Sequence, residues 1–593
     1  MTFSLRLFLI CVIITLVAVG VNAQQPGQHS LDHNHNIYQK IDQAYQSGDL
    51  SLDDKVLYKF YAHNNPQKLP RRFALEEQSV IKCGTPAVLD YRKNKGKLSP
   101  STISAVESMM RVAQIQANET YTSPGGWFAI HYQASGPSAV PPEDSDNDNI
   151  PDYVEQVAAA ADSSYRHEVL RLGYSDPLDT GQRYDVEIIN LSGIYGRTFP
   201  PATDDGNTFI QIENDFSENF PPNDDPEGTA VGAVKVTMAH EFKHAIQFTA
   251  NQWRGETFNW LEMDATLMEE VVYDNVNDYY NYIIWDSSIF NNPSGGFYPG
   301  SYEHVSWALY FEERYGSQFW VEVWDIIQQN PQITMVDALT QQLGGPQAFH
   351  ENYITSQLWH FASGPGNASP NFGFQESGNY PNPPVETNQG FYNKNFSIPR
   401  SMPQDSLYSF SAKYYSIPIP ENVDGQISLE VSSPTTNRGV GLIAYYNDGR
   451  TEAATVPGGG HQTGLSTSNL SWDNIDRLGL VLTNSGTGSS GSNLKEPALV
   501  EVGSSNFNST LSQNYPNPFN PQTRIRFTLE QKSQVELKVY DSAGRLVQTL
   551  VNRELSAGLH EPLFDGSGLA SGVYFYQLRV DEQAFVKKMT LIK

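Results

Sequence analysis

The chain is poor in cysteine, in positive charge and in long apolar runs. Of its two cysteines, Cys11 and Cys83, Cys11 lies in an N-terminal segment that reads as removable. Only Cys83 then remains, so no intrachain disulfide can form. Stability must come from apolar cores and bound ions rather than cross-links. Lys and Arg number 38 against 66 Asp and Glu, a formal net charge of −28. That balance argues against a nucleic-acid partner, because phosphate binding needs clustered cations. The only long apolar run is Leu7 to Val21. It follows Arg6 and ends at Val21-Asn22-Ala23, the pattern of a signal peptide over 1–23. It is short for a membrane anchor, and no charged stop-transfer pattern follows. The expected product is exported, with no transmembrane anchor.

What is present is ample. A length of 593 residues allows several domains, and 39% hydrophobic with 12% aromatic residues can fill large cores. Residues 24–118 read as an N-terminal region with the position of a propeptide. It opens on a polar stretch with His29, His33 and His35, and it holds amphipathic helices over 52–62 and 99–116. Residues 119–365 read as one α+β domain. Strands are expected at 127–132, 184–189 and 208–212, the last at a sheet edge just before a helix over 230–250, and a long helix at 151–172. More helices are expected near 257–275, 302–315, 317–329 and 347–362. Pro, Gly, Ser and Asn dominate 364–390, a linker. Two β-sandwich domains follow, over 386–503 and 511–593, separated by a second linker at 503–512.

Within the helix at 230–250 stands His240-Glu241-Phe242-Lys243-His244. Residues four apart share a helix face, so His240 and His244 can bind one ion while Glu241 takes a proton from metal-bound water. A catalytic zinc needs a third protein ligand. Trp260 to Glu270 offers Glu262, with Asp264 as its main competitor. Glu269, two turns beyond Glu262 on the same face, suits outer support. Tyr298, Tyr302 and His304 are candidate donors to a developing oxyanion, and Tyr302 and His304 are the catalytic candidates among them.

Asp144, Asp146, Asp148, Asp152 and Glu155 fall at positions 1, 3, 5, 9 and 12 of an EF-hand-like calcium loop, with Asn149 where Gly is usual and Ile150 offering its carbonyl. Cys83 has two readings. It is a small buried residue, or a latency switch whose thiolate caps zinc until the N-terminal region is removed. Arg71-Arg72 is a candidate processing site.

The stretch from His240 to Gln247, followed by Asn259-Trp260-Leu261-Glu262-Met263-Asp264-Ala265, resembles the glutamate zincins (gluzincins). Their aminopeptidase-like members carry the third ligand in a Trp-Leu-x-Glu-Gly-x-Ala stretch. Glu262 and Ala265 match its Glu and Ala; Met263 replaces Gly and Trp260-Leu261 is displaced by one place. A closer resemblance, over 50–360, is to a bacterial family of secreted metalloproteases. It extends to the Cys-Gly-Thr segment, the acidic loop and the Tyr184-Asp185-Val186 strand. The resemblance implies a zincin-like metallopeptidase, active on protein or peptide substrates through Zn2+ and stabilised by Ca2+. Leu511 to Pro521, with Val539-Tyr540-Asp541, Gly544 and Gly572-Val573-Tyr574, resembles the C-terminal sorting domain of the type IX secretion system. It implies a Bacteroidetes-like bacterium, export across the outer membrane and removal of the domain at the cell surface. Two rival expectations stand beside an endopeptidase: an inactive surface adhesin that keeps the fold, and a zinc hydrolase of non-peptide substrates.

Overall fold

The structure is a computed structural model. It describes residues 37–593 apart from 75–79, 113–117, 179–181, 192, 202–206, 218–219, 256–258, 299, 386–399, 402–406, 420–422, 424, 433–436, 458–463, 488–498, 506–508, 530–532, 556–557 and 582. Residues 1–23, read above as a signal peptide, and the histidines at 29, 33 and 35 lie outside the described residues.

The N-terminal region contains α1 (Ile37–Gln46), α2 (Leu52–Asn64), β1 (Ile81–Cys83), α3 (Thr85–Asn94) and α4 (Pro100–Val112). The Ser51 hydroxyl accepts from the Asp54 amide and caps α2, satisfying one of the donors that a helix start leaves free. Ile41, Phe60, Val88 and Tyr91 share a core with Ile194 and Phe199 of the next unit. The region is therefore packed onto that unit through buried apolar surface.

The next unit is built on a six-stranded sheet. Its further strands are β2 (Glu119–Thr122), β3 (Phe128–Tyr132), β4 (Tyr184–Ile189), β5 (Ile194–Phe199) and β6 (Phe209–Glu213), in the order β1-β5-β6-β4-β3-β2. β3, β4 and β6 run parallel to one another, and β5 is antiparallel to β6. β6, the strand before the helix at 230–250 and expected at an edge, is thus internal. Its antiparallel neighbour β5 and the short β1 lie outside it. The helix expected over 151–172 is α5 (Asp152–Ser164) followed by π-helical turns at Tyr165–Arg171.

α6 (Thr229–Asn251) starts after Gly228 at φ 111° and stops where Gln252 turns left-handed at φ 56°, a common helix stop. Val234, Met238, Phe242 and Ile246 bury one side of it in the sheet's core. α7 (Asn259–Val272) packs beside it, followed by α8 (Tyr280–Ile283), α9 (Val305–Tyr315), α10 (Gln318–Gln329), α11 (Met335–Gln342) and α12 (Pro346–Phe361). The segment expected to be a linker from 364 is instead packed: Phe374 and Tyr380 are buried in the same core.

Beyond it, strands Thr451–Pro457, Arg438–Tyr446, Ile475–Asn484 and Ser411–Ile417 form one sheet, and Gly464–Ser471, Gln426–Ser432, Leu499–Ser505 and Arg400–Ser401 another. Ile427 and Leu470 of the second share a core with Leu442 and Leu480 of the first. α12 lies against the outer side of the first sheet. Ile354 and Leu358 sit where a Cβ on Gly439 or Gly441 would have to be, so those glycines permit the contact. The final unit centres on a four-stranded antiparallel sheet of Leu546–Leu555, Ser533–Asp541, Gly572–Val580 and Gln583–Leu591. The alternation of buried Val535, Leu537 and Val539 with more exposed neighbours is the period-two pattern of a half-buried sheet. Two further short strands, Gln522–Arg524 and Phe527–Leu529, are separated by Ile525, whose amide donates to the Pro562 carbonyl.

Candidate metal centre

Two turns of α6 and the first turn of α7 bring together His240, His244 and Glu262, and β1 adds Cys83. All four are buried, and one ligand atom from each lies within 4.8 Å of the others. His240 Nε2 is 3.3 Å from Glu262 Oε2, His244 Nε2 is 3.3 Å from Glu262 Oε1, and Cys83 Sγ is 3.5 Å from His244 Nε2. These spacings can be compared with a tetrahedral zinc. Nitrogen or oxygen ligands about 2.0–2.1 Å from the ion stand about 3.3–3.4 Å apart, and a sulfur at about 2.3 Å stands about 3.5 Å from a nitrogen. The donor set fits zinc in kind and in spacing.

The outer nitrogens are tied down. His240 Nδ1 donates to Glu269 Oε1 at 2.7 Å, and His244 Nδ1 to Gln247 Oε1 at 2.8 Å. Each bond orients its ring so that Nε2 faces the shared point. Glu269 is held in turn by buried Lys82 at 2.9 Å, which also meets Asp278 at 2.6 Å. Gln247 Nε2 donates to Asp264 Oδ2 at 2.8 Å and to the Leu261 carbonyl. Asp264 also accepts from Trp324 Nε1 at 3.0 Å and lies 3.5 Å from Lys243. Of the two candidate third ligands, Glu262 is in the cluster and Asp264 supports it from behind.

The charges respond to this crowding. Burial lowers the His240 pKa, but its bonds to Glu262 and Glu269 outweigh that and push it up to about 9. Burial raises Glu262, yet the two histidines hold it well below the usual carboxylate range. Burial, then Glu241 and Glu262, push the Cys83 thiol well up. Buried carboxylates beside two imidazoles and a thiol make a donor set that suits a cation.

Glu241 is fully buried. Its Oε2 accepts from Thr198 Oγ1 at 2.7 Å and Thr85 Oγ1 at 3.2 Å, while Oε1 has no partner. β5 must run close to α6 here. A Cβ on Gly196 would lie 2.7 Å from Thr237 Cγ2 and 2.9 Å from Glu241 Cγ. The ring of Tyr302 stacks on His240 with centroids 5.9 Å apart, and its buried hydroxyl has no partner.

His304 is not brought to the cluster. Its Nδ1 accepts from the Ser301 amide at 3.0 Å, its Nε2 donates to the Ser287 carbonyl at 2.9 Å, and its ring stacks on Phe297. With both nitrogens bonded to backbone, His304 closes a capping box and has no proton to offer a substrate. Tyr298 packs on Phe410 instead. Sequence reasoning missed Lys82, Thr85, Thr198 and Gln247. Only Gln247, three residues after His244, carried a signal, since that spacing shares a helix face.

In the acidic loop, Asp144, Asp146 and Asp148 offer oxygens within 4.8 Å of one another. Asn147 and Asn149 are left-handed at φ 64° and 71°, so Asn149 adopts the turn that glycine usually makes at that position. The Asp148 and Asn149 amides donate to Asp144. Asp152 accepts from both the amide and the hydroxyl of Ser145. Glu155 is pushed up by partial burial and then by Asp146, Asp148, Asp152 and Asp144. Ile150 donates its amide to Asp148 Oδ1 at 2.8 Å.

Among the described residues no helix is long and apolar enough to cross a membrane. No curated protein matches the chain. Among solved structures, PorZ, an essential bacterial surface component of the type IX secretion system of Porphyromonas gingivalis, aligns at 20% identity and a TM-score of 0.11, covering 19% of this chain and 14% of that one. A β-glucuronidase of Faecalibacterium prausnitzii aligns at 11% identity and a TM-score of 0.13, covering 30% and 36%. Each alignment spans well under half of the solved chain. Residues 513–593 match the secretion system C-terminal sorting domain family. The chain therefore ends in a type IX sorting domain, engages that secretion machinery through it, and is delivered to the cell surface or the extracellular space.

Proposed function

We propose that the chain is a secreted zinc peptidase, with residues 119–365 forming a zincin-like α+β domain ahead of two β-sandwich domains. The observation that carries this reading is the convergence of His240 Nε2, His244 Nε2 and Glu262 at the spacing of zinc ligands, with Glu241 on the adjacent helix position. Zinc bound there supplies Lewis acidity and lowers the pKa of bound water. Glu241 accepts the proton at Oε1, its unpartnered oxygen, and delivers it to the leaving amine. Thr198 holds the other oxygen and so fixes the carboxylate plane. Tyr302 is placed to donate its unpartnered hydroxyl to the oxyanion that develops on the substrate carbonyl. Asp144, Asp146 and Asp148 would hold a structural calcium ion just before α5, with Glu155 and the Ile150 carbonyl as the further donors of the loop pattern, while Asp152 is held by Ser145.

Zinc per molecule and casein cleavage test the reading together. The purified chain, after activation, should hold one zinc and cleave casein. Glu241→Gln should keep the zinc and lose about 10²–10⁴-fold in rate, the usual worth of a general base. A Glu241→Gln variant as active as the parent would remove the proposed base. A second reading is favoured by Cys83, which adds a fourth possible donor to the cluster: its residues would hold a closed, purely structural zinc in a surface adhesin. It predicts one zinc and no cleavage under any treatment. Cleavage of casein also separates a peptidase from a zinc hydrolase of other substrates.

A further inference from the structure

We infer that residues 81–85 are a built-in inhibitor that closes the proposed peptidase site at three points at once: the metal, the base and the strand edge. This rests on the zinc peptidase reading.

At the first point, Cys83 Sγ stands 3.5 Å from His244 Nε2, in the corner that a catalytic zinc leaves open for water. At the second, the Thr85 hydroxyl accepts from the Thr198 amide at 2.8 Å and donates to Glu241 Oε2 at 3.2 Å. It links the base to β5 through Oε2, the oxygen that Thr198 also holds, so the carboxylate is pinned between two protein hydroxyls. At the third, β1 pairs in parallel with β5, Ile81 opposite Ile194 and Cys83 opposite Gly196. The Ile81 amide bonds the Gly193 carbonyl and the Gly84 amide the Gly196 carbonyl. Without β1 this edge presents unpaired backbone groups beside Glu241, ready for an extended peptide. The three contacts come from five consecutive residues, so they engage and release together.

The inhibitor is anchored on both sides. Lys82 is buried between Glu269 and Asp278. Downstream, α3 and the rest of the N-terminal region bury Val88 and Tyr91 against Ile194 and Phe199. This has a consequence for activation. Arg71 and Arg72 lie in an exposed turn, before β1 in the chain. A cut there leaves residues 81–85 in place. Activation needs a second cut after β1, or a reagent that removes the thiolate from the metal.

The test uses the full chain loaded with cobalt, with Cys83→Ser and Thr85→Val beside it. The readouts are the near-ultraviolet thiolate-to-cobalt absorption, bound metal per molecule, and casein cleavage before and after an organomercurial. The expected result is an absorbing, inactive parent. Cys83→Ser keeps one metal, loses the absorption and cleaves casein without the mercurial, at least tenfold faster than the untreated parent. Thr85→Val keeps the absorption. Three results overturn the proposal. A metal-loaded parent without the absorption removes Cys83 from the site and leaves the zinc reading standing. Loss of metal from a folded Cys83→Ser makes Cys83 a structural ligand and favours the adhesin. A parent that cleaves casein as fast as Cys83→Ser shows that residues 81–85 inhibit nothing. No metal in any folded form removes the zinc reading itself, and with it this one.

Discussion

Glu269 touches neither substrate nor metal in the proposed mechanism, so its replacement measures how much the outer bonds contribute. In Glu269→Gln the amide oxygen can still accept from His240 Nδ1, at a distance that is 2.7 Å in the parent. The charge is lost. A hydrogen bond to a charged group contributes about 1.5–3 kcal/mol and a neutral one about 0.5–1.5. The imidazole then loses about 1–2 kcal/mol of support, which is roughly 5- to 30-fold in metal affinity. That overlaps the 10- to 100-fold that such partners usually supply. Lys82 also loses one of its two carboxylates but keeps Asp278 at 2.6 Å, so the ammonium stays paired and the fold should survive. Competition with a chromophoric chelator gives the zinc affinity, and urea unfolding of the metal-free forms gives the stability. Glu262→Gln is the reference for loss of a ligand and should fall much further. Asp264→Asn separates the two acids of α7. It should keep one zinc while losing stability, since Lys243 and Trp324 lose a buried charged partner. Zinc affinity in Glu269→Gln within twofold of the parent would refute the idea that the His240–Glu269–Lys82 chain tunes the site. Loss of zinc from Asp264→Asn with retention in Glu262→Gln would reverse the ligand assignment.

Calcium at 100 times its dissociation constant should stabilise the chain by about 2.7 kcal/mol, and Asp146→Asn should abolish the rise in Tm that calcium gives. His304→Phe removes a capping bond to Ser301 and one to the Ser287 carbonyl; it should cost about 1–3 kcal/mol in urea unfolding while zinc content stays at the parent value. Glu313 is pushed up to about 7 by burial, with the Gln375 amide opposing and Glu312, Glu376 and Asp274 adding to the rise. A carboxyl raised in the folded state contributes stability that is complete below its unfolded value, near 4.5, and is lost as pH rises through about 7. Unfolding between pH 4.5 and 7 should show a fall of at most about 3 kcal/mol from this group, absent in Glu313→Gln. A profile in Glu313→Gln as steep as the parent's would remove Glu313 as the cause.

The parts of the site that were legible in the sequence are those written at helical spacing. His240 and His244 are one turn apart. Glu262 and Glu269 are seven residues apart, nearly two whole turns, so a helix that aims one at the metal aims the other at the first ligand's back. Asp264 is two residues from Glu262, about 200° around the helix, and that rotation turns it toward Gln247 and Trp324 instead. What was not legible depends on partners far along the chain. β1 is three residues long, too short for an alternation to register, and it is made a strand only by pairing with β5 more than a hundred residues later. Lys82 reads as a surface lysine until Glu269 and Asp278 are seen to enclose it. Thr85 and Thr198 are ordinary residues that meet Glu241 only because Gly196 lets β5 approach α6. His304 misled for the opposite reason: a histidine three residues after Ser301 is a local cap, and local geometry had already used both of its nitrogens. The same long-range pairing decides how the N-terminal region must be understood. On the proposed peptidase reading, a propeptide that only preceded the catalytic unit in the chain could be lost without consequence for the site. One that supplies Lys82 to Glu269, Cys83 to the metal cluster and Thr85 to Glu241 cannot leave without changing the metal's support, its coordination and the freedom of the base in one step. Activation should therefore alter metal affinity and rate together.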